Sequence, residues 1–595
     1  MTESPLQLAL ALMNAGRFSQ AEPILRRALT RAPKDTALLR TLAALLSHTA
    51  RAPQAVYVLR QCVALTPADG HVLAELAQAL AEGGSTKDLS EALTLADRAV
   101  ALAPTSARAH LALAASLEAA GAYLCAESAY RAAVTLDPSH EMAGAKLVQL
   151  LHRTGRPELA LEAAAHLARH SAHFHHATSL ANISSYASSI TPAARFSLHT
   201  AAASAVARVP APPLSPLSAL APSIDRNPDR SLRVAFLSPD FVDHSVTFFL
   251  EPLLTALNRT QIEPIALFSS TGGDAVTTRL RTRFAAWHDV PEPSEAAVAT
   301  LLRRERIDIA IDLAGHTAGS LLLTLRQRLC PVQISCLGYP HSTGLPSIDA
   351  RLVDSSTDPT GAASLATERL IRLDPCFLCY QPPLDHSPPV AALPVAAGTP
   401  FTFGSFNMLG KLSEATKDLW ARVLLGAPGS RLILKDSVLA VADARELVLS
   451  AFASRGVEPA RLTLLARTPS RADHLALYNQ VDLALDPTPY CGTTTTCEAL
   501  LMGVPVLTLT GDCHAARVGV SLLRAVGLDS FIAATPGDYI RRAAELAASP
   551  GPLAALRPLL RNQLLASPLC DAPAHARRFE AALRALWQEW CSSYA

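Results

Sequence analysis

The residues best suited to chemistry in this sequence stand together at 486–498, Asp-Pro-Thr-Pro-Tyr-Cys-Gly-Thr-Thr-Thr-Thr-Cys-Glu. The apolar run VDLALD before them reads as a strand, and the ALLM after them continues as a helix. A strand end, a glycine (Gly492) and four hydroxyls, Thr493, Thr494, Thr495 and Thr496, opening a helix suit an anion. The first N–H groups of a helix lack internal partners, and the helix dipole sets positive potential there. One threonine serves as a cap; four in a row point to phosphate, and a diphosphate fits. No G-x-x-x-x-G-K-[ST] or G-x-G-x-x-G stands at a matching position, so neither a P-loop nor a dinucleotide site is indicated.

A second candidate is Lys411, which follows the strand FTFGSF and the turn Asn407-Met408-Leu409-Gly410. A lysine at a strand's carboxyl end, in the same half as the threonines, can neutralise a departing diphosphate. Earlier in the chain, Ser238-Pro-Asp240-Phe-Val-Asp243-His244 follows the strand LRVAFLS and sets His244 at a cleft edge, as a general base or an orienting group. Asp312–Thr317 (DLAGHT) and Gly338–Gly344 (GYPHSTG) end two further strands, with glycines expected to let a ligand approach the backbone. Two metal readings are weaker. His170, His173, His175 and His176 have no neighbouring carboxylate or cysteine partners, and Cys376 and Cys379 form a lone C-x2-C. Solvated histidines and two small buried side chains are the expectation, with no metal site.

These groups need elements to hold them. The 595 residues exceed one domain several-fold; 50% are apolar and 17% charged, which excludes a disordered chain. The net charge of +1 supplies no field for nucleic acid or an acidic membrane. The start lacks a basic region ahead of its apolar stretch, no uncharged run has membrane-spanning length, and the eleven cysteines are odd in number and scattered. A cytoplasmic protein is expected. From Leu232 onward, short apolar runs alternate with amphipathic stretches, which predicts parallel sheets covered on both faces. The Pro-rich break at 381–400 splits them into two doubly wound halves with a cleft between, where ligands sit at the strands' carboxyl ends. Before them, Pro33, Pro67, Pro104 and Pro138 recur with spacings of 34, 37 and 34, and Ala21, Ala55, Ala92, Ala126 and Ala160 with 34, 37, 34 and 34. This period, with turns at Gly16, Gly121 and Gly155 and the extra three residues assigned to GGSTKD at 83–88, resembles the tetratricopeptide repeat. Such a solenoid presents a concave surface to a protein. The division expected is repeats at 1–168, a helical and Pro-rich linker at 169–230, a first catalytic half at 231–385 and a second, nucleotide-binding half at 386–595.

The ordered motifs SPDF-x-x-HS, DLAGHTAG, LGYPHSTGLP-x-x-D, CFLCY, FGSFN-x-L-x-K, PY-x-GTTTTCEAL-x-MGVPV and HAARVGVSLL, over about residues 232–593, resemble the O-GlcNAc transferase and SPINDLY family of protein O-glycosyltransferases. The resemblance implies a GT-B type region of two Rossmann-like halves behind a tetratricopeptide solenoid. It also implies a metal-independent inverting transfer from a nucleotide sugar to Ser or Thr hydroxyls of proteins held by the repeats. By motif, Lys411 contacts the donor diphosphate, Thr494 and Thr495 meet the phosphates, His474 lies near the base, Glu498 takes the position of the ribose-holding acid, and His244 is the active-site histidine. Asn407, Thr493 and Thr496, and from the first half Thr317, Gly338, Tyr339 and Pro340, are placed with the donor. O-GlcNAc transferases read His-Thr-Thr where this chain reads Thr493-Thr494-Thr495, and FGSFN, CFLCY and GVSLL are nearer SPINDLY, whose plant form uses GDP-fucose. UDP-GlcNAc transfer is the leading expectation, GDP-fucose transfer the alternative. The readings of another kind are a repeat scaffold with an inactive transferase region and an enzyme acting on free sugars.

Overall fold

The computed structural model describes residues 4–14, 16–83, 85–213, 224–291 and 294–593. The chain forms two compact units: Met1–Leu151 with Arg169–Ser171 and Val441–Ala444, and all the remainder.

The first unit is helical, and its period is the one written in the sequence. Helix pairs run Pro5–Asn14 with Phe18–Arg31, Thr36–His48 with Ala52–Leu65, Gly70–Gly83 with Thr86–Leu102, and Ala107–Ala119 with Tyr123–Leu136. Glu141–Arg153 closes this unit, and Pro157–His170, most of which belongs to the second unit, follows it in the chain. Ala21, Ala55, Ala92, Ala126 and Ala160 are each fully buried, as small residues must be where two helices close on each other. The turns at Gly16, Gly121 and Gly155 have φ of +71°, +81° and +77°. At the matching point of the second repeat Ala50 takes φ +56°, a conformation that costs a Cβ-bearing residue energy. The extra three residues stand at 86–88, inside the stretch expected, and are helical. The second helix of the third pair has 17 residues where its equivalents have 14, so the insertion lengthens a helix.

The second unit contains two parallel sheets. The first orders its strands β3-β2-β1-β4-β5-β6-β7, with β1 Leu232–Ser238, β2 Ile262–Phe268, β3 Ala286–Asp289, β4 Ile309–Asp312, β5 Val332–Ser335, β6 Ala350–Val353 and β7 Arg369–Arg372. The second orders them β10-β9-β8-β11-β12-β13, with β8 Thr402–Ser405, β9 Arg431–Lys435, β10 Leu462–Leu465, β11 Leu483–Leu485, β12 Val506–Leu509 and β13 Ile532–Ala533. Along β1, Leu232, Val234 and Phe236 enter one core while Ala235 and Leu237 enter the other, which is why its sequence is apolar throughout rather than alternating. Strand order reverses between β1 and β4, and between β8 and β11. In doubly wound sheets the crevice outside those two points receives the ligand.

Two stretches depart from the division expected. The segment 169–213 holds the helices Phe174–Ser184 and Pro192–Arg208, and the second places Ala203 and Val206 in a core of the first sheet. Its neighbour 214–223, with two of the linker's prolines, lies outside the described residues. The last helix, Ala572–Ser593, counted with the second half in the sequence, buries Phe579, Leu583 and Trp587 against β1 and β4 of the first sheet. Its apolar face matches that sheet, and sequence adjacency could not reveal it. Among the described residues no helix is long and apolar enough to cross a membrane.

Candidate active site

Four of the chemistry-bearing motifs fall at the two reversal points, while Gly338–Gly344 follows β5 and His474 follows β10. Lys411 follows β8 and the threonine run follows β11, while His244 follows β1 and Asp312–Thr317 closes β4.

In the second half the helix Thr494–Leu501 starts without a side-chain cap: Thr493 at the N-cap makes no cap bond, which leaves the first N–H groups for an incoming acceptor. Asp486 anchors this start. It is 1% exposed, accepts the Gly492 N–H at 2.6 Å and the Thr508 hydroxyl at 2.7 Å, and burial lifts its carboxyl to about 6. A Cβ on Gly492 would lie 2.7 and 2.8 Å from the Thr495 and Thr496 hydroxyls, so only glycine fits beneath the run. The Asn407 carbonyl joins the two motifs, accepting from Thr495 Oγ1 at 3.0 Å and from Lys411 Nζ at 3.3 Å. Lys411 Nζ also donates to the Cys491 carbonyl at 2.8 Å and stands 4.6 Å from the centre of the Tyr490 ring. Burial brings its amine down to about 8, against the pull of Asp486. Thr494 Oγ1 is buried with no hydrogen-bond partner. A hydroxyl left so at a helix start, in a run that Asn407 joins to a lysine, is a place made for an oxyanion.

A second cluster lies one turn away from Thr494. Lys435, the last residue of β9, donates to His474 Nδ1 at 2.8 Å, which puts the imidazole proton on Nε2 facing Glu498 Oε2 at 3.1 Å. The Phe406 and Tyr478 rings close the other side of His474, at 5.8 and 5.7 Å, and the Tyr478 hydroxyl donates to the Thr495 carbonyl at 3.2 Å. His474 and Glu498, assigned to separate parts of a donor, are thus hydrogen-bonded to each other, and His474 also to a lysine the sequence reading passed over. Lys435 had a signal: like Lys411, it ends a strand on the carboxyl side.

The first half offers His244 as the N-cap of Ser245–Ala256, its side chain 47% exposed. Its Nδ1 accepts weakly from the Val246 N–H at 3.4 Å, with Asp240 Oδ2 at 3.9 Å. Next to it, Asp243 pairs with Arg471 at 2.6 Å, which ties the His244 loop to the helix Arg471–Ala476 that carries His474. Thr317, Gly338, Tyr339 and Pro340 form a separate group at the ends of β4 and β5. Here the glycines pack protein on protein, contrary to the expectation of ligand approach. A Cβ on Gly338 would fall 1.8 Å from the Leu313 carbonyl, and one on Gly315 would fall 2.3 Å from the Tyr339 ring. Tyr339 is 4% exposed with its hydroxyl 2.7 Å from His199 Nε2, and the Thr317 hydroxyl donates to the Ala314 carbonyl at 2.8 Å. Pro340 is half-buried.

Tyr186, inside the stretch read as linker, stacks on Tyr490 at 4.5 Å and 7°, and His152 lies 4.4 Å from the other side of Tyr186. Nothing local in the sequence marks Tyr186, because Tyr490 lies about 300 positions away. Cys376 and Cys379 are fully buried, with the Cys376 sulfur 3.3 Å from Ser521 Oγ. His173 caps the helix Phe174–Ser184 and stacks on Phe174 and His175. Among the described residues no group of three or more His, Cys, Asp or Glu is arranged to hold a metal ion.

The family described as Glycosyl transferase family 41 matches residues 218–381 and 393–579, more than half the chain. The chain belongs to glycosyl transferase family 41. A tetratricopeptide repeat matches residues 6–45. Among relatives of this family-41 chain is the protein of Arabidopsis thaliana named probable UDP-N-acetylglucosamine–peptide N-acetylglucosaminyltransferase SPINDLY, 38% identical over 370 residues, 62% of this chain and 40% of that protein. The Arabidopsis thaliana SEC protein of the same enzyme name is 29% identical over 375 residues, 61% of this chain and 38% of that one. This chain therefore spans about two fifths of the length of the curated relatives it matches. Among solved structures, a mutant of the Thermobaculum terrenum O-GlcNAc transferase superposes with a TM-score of 0.76 at 32% identity, covering 88% of this chain and 99% of that one. That superposition and the repeat match fix the architecture as tetratricopeptide helices followed by two parallel sheets of GT-B type.

Proposed function

We propose that this chain is an inverting protein O-glycosyltransferase that moves one sugar from a nucleotide-sugar donor to Ser or Thr hydroxyls of protein acceptors. The observation that carries the reading is the uncapped helix start at Thr494, with its unpartnered buried hydroxyl, joined to the Lys411 amine through Thr495 and Asn407. Negative charge grows on the donor diphosphate as the bond to the anomeric carbon breaks. Lys411, the Thr494 and Thr495 hydroxyls and the first helical N–H groups hold that charge, with their orientation fixed beforehand by Asp486 and Asn407. With that positive potential supplied by the chain, no metal is required. Lys435, His474 and Glu498 hold the nucleoside. His244, exposed at the opposite reversal point, meets the acceptor hydroxyl that attacks the anomeric carbon from the face away from the diphosphate. The repeats hold the acceptor protein, and Thr493, Thr496, Thr317 and the Gly338–Pro340 turn shape the donor site.

UDP-GlcNAc is the donor we favour, in keeping with the names of the relatives. GDP-fucose is the second reading, favoured by the stretch CFLCY and the GVSLL motif. The eleven cysteines are all unpaired, which fits a reducing compartment, the cytoplasm. The test is incubation of the purified protein with UDP-GlcNAc and with GDP-fucose separately, followed by intact-mass measurement of the protein and of a Ser/Thr-rich peptide. A one-sugar mass gain with one donor supports transfer and names the donor; none with either, in the presence of a range of acceptors, favours the inactive scaffold.

A further inference from the structure

A pocket of about 240 Å³ opens in the second unit, its 511–517 wall joined to the neighbourhood of Lys411 by the bond from the Cys491 N–H to the Ala515 carbonyl at 3.0 Å. Its walls come from the helix Pro192–Arg208, from the ends of β5 and β6, and from the 511–517 loop after β12, and it shares no lining residue with the Lys411 and Thr494 site. The walls carry an unusual surplus of cationic donors: Arg195, Arg351 and Arg517 line it, against the buried carboxylate of Asp358 and the exposed one of Asp512.

Arg517 donates to the Ser356 and Gly511 carbonyls and Arg195 to those of Ser184 and Ala187, whereas Arg351 and His341 each keep a nitrogen without a partner. Arg351 is 3% exposed, reaches Asp358 only at 3.8 Å, and keeps Nη2 without a partner. His341 is 8% exposed and leaves Nε2 without a partner. The remaining nitrogen of Arg195, Nη1, meets only the Cys513 sulfur at 3.4 Å, a weak acceptor. Asp358 is already taken by His514 Nδ1 at 2.5 Å. Buried cations and N–H groups without acceptors cost a fold stability, and natural interiors keep them where something arrives to satisfy them. Crowding by Arg195, Arg351, His199 and His514, on top of burial, holds the His341 imidazole neutral, well below its ordinary range.

We propose that this pocket is a second ligand site, for a small oxyanion of the phosphate class, taken either as the free ion or as the phosphoryl group of a small metabolite. Its volume exceeds the roughly 30 Å³ share of one water several-fold and falls short of a typical 300–1,000 Å³ cofactor site, so a nucleotide is too large. Because β5, β6 and the 511–517 loop belong to different halves, an oxyanion here adds to the bonds that already join them, His514 to Asp358 and Arg517 to the Ser356 carbonyl.

The experiment uses the full chain in chloride buffer at fixed ionic strength, titrated with inorganic phosphate and, separately, with glycerol 3-phosphate. Thermal unfolding is followed in the wild type, in Lys411→Met and in Arg351→Gln. A saturable rise in melting temperature is expected in the wild type and in Lys411→Met, and its loss in Arg351→Gln. Hydrogen exchange on the wild type is expected to slow at 354–362 and 511–517, a readout that stands even where Arg351→Gln fails to fold. Tighter binding of the ester identifies a metabolite, and equal or tighter binding of phosphate identifies the free ion. No saturable shift overturns the proposal. So does a shift lost in Lys411→Met and kept in Arg351→Gln, or protection confined to 492–498, since the ion then sits at the threonine run.

Discussion

Lys411 is held in a form that serves a ligand rather than the fold. A lysine whose folded value, about 8, lies below its free value near 10.5 destabilises the folded state wherever it is charged in both states, that is below about pH 8. The penalty declines between about pH 8 and 10.5 and is gone above. Replacing Lys411 by Met is therefore expected to leave melting at pH 7 unchanged or higher. Transfer falls about a hundredfold, the ~3 kcal/mol lost when one preorganised charge contact to a transition state is removed. The same value predicts a pH profile: kcat/KM for the donor falls as pH rises through about 8, because the free enzyme then loses its cation. Thr494 allows a sharper separation of folding from function. Its hydroxyl has no partner in the folded chain, so Thr494→Val exchanges an unsatisfied buried group for a methyl of similar size and costs little or nothing in stability. It removes a bond to a charged oxygen worth about 1.5–3 kcal/mol, so nucleoside diphosphate affinity is expected to drop at least tenfold in calorimetry. A Thr494→Val protein that melts several degrees lower and binds as before would make the hydroxyl structural.

The elements show what a single sequence discloses. The solenoid was legible because each of its signals is local: alanine where helices close, proline where one stops, glycine where the chain turns with positive φ. The sheets were legible because strands buried on both faces must be apolar throughout, and the site was legible because strand ends and a threonine-rich helix start are adjacent in sequence. What stayed hidden depends on packing across long separations. Tyr186 against Tyr490, the last helix against the first sheet, and the acceptor-starved walls of the oxyanion pocket leave no local trace. The glycines of 315 and 338 were misread because a missing side chain reports a close neighbour without saying whether it is ligand or protein. Ala50 is where the repeat breaks its own rule. With φ +56° in a turn that uses glycine elsewhere, Ala50→Gly is expected to stabilise the first unit, since a left-handed residue with a Cβ costs about 1–2 kcal/mol and glycine's greater freedom when unfolded returns part of that. Unfolding of an isolated 1–151 fragment measures it, and a lower midpoint would show that the turn is not strained.

At the scale of the whole molecule, two units with separate cores predict two responses to one ligand. The repeat cores and the sheet cores share no residues, so heat is expected to unfold the units in distinguishable steps. A nucleoside diphosphate that binds at Thr494 and Lys411 protects by RT ln(1 + [L]/Kd), about 2.7 kcal/mol at a hundredfold excess, and only the step belonging to the sheets should move. The base that protects best reports the donor, UDP for N-acetylglucosamine and GDP for fucose, because Lys435, His474 and Glu498 contact the nucleoside in the proposed pose while Lys411 sees only phosphate. Removing residues 1–139 should leave this protection unchanged yet sharply reduce transfer to whole proteins, with short peptides less affected, since the repeats act on the acceptor alone. Equal losses for proteins and peptides would make the repeats structural. Calorimetry of the full chain in UDP, GDP and chloride decides the rest. A shift of both steps together would mean that the nucleotide is not confined to the sheets, and no shift of either at millimolar nucleotide would take the transferase reading down in favour of the scaffold.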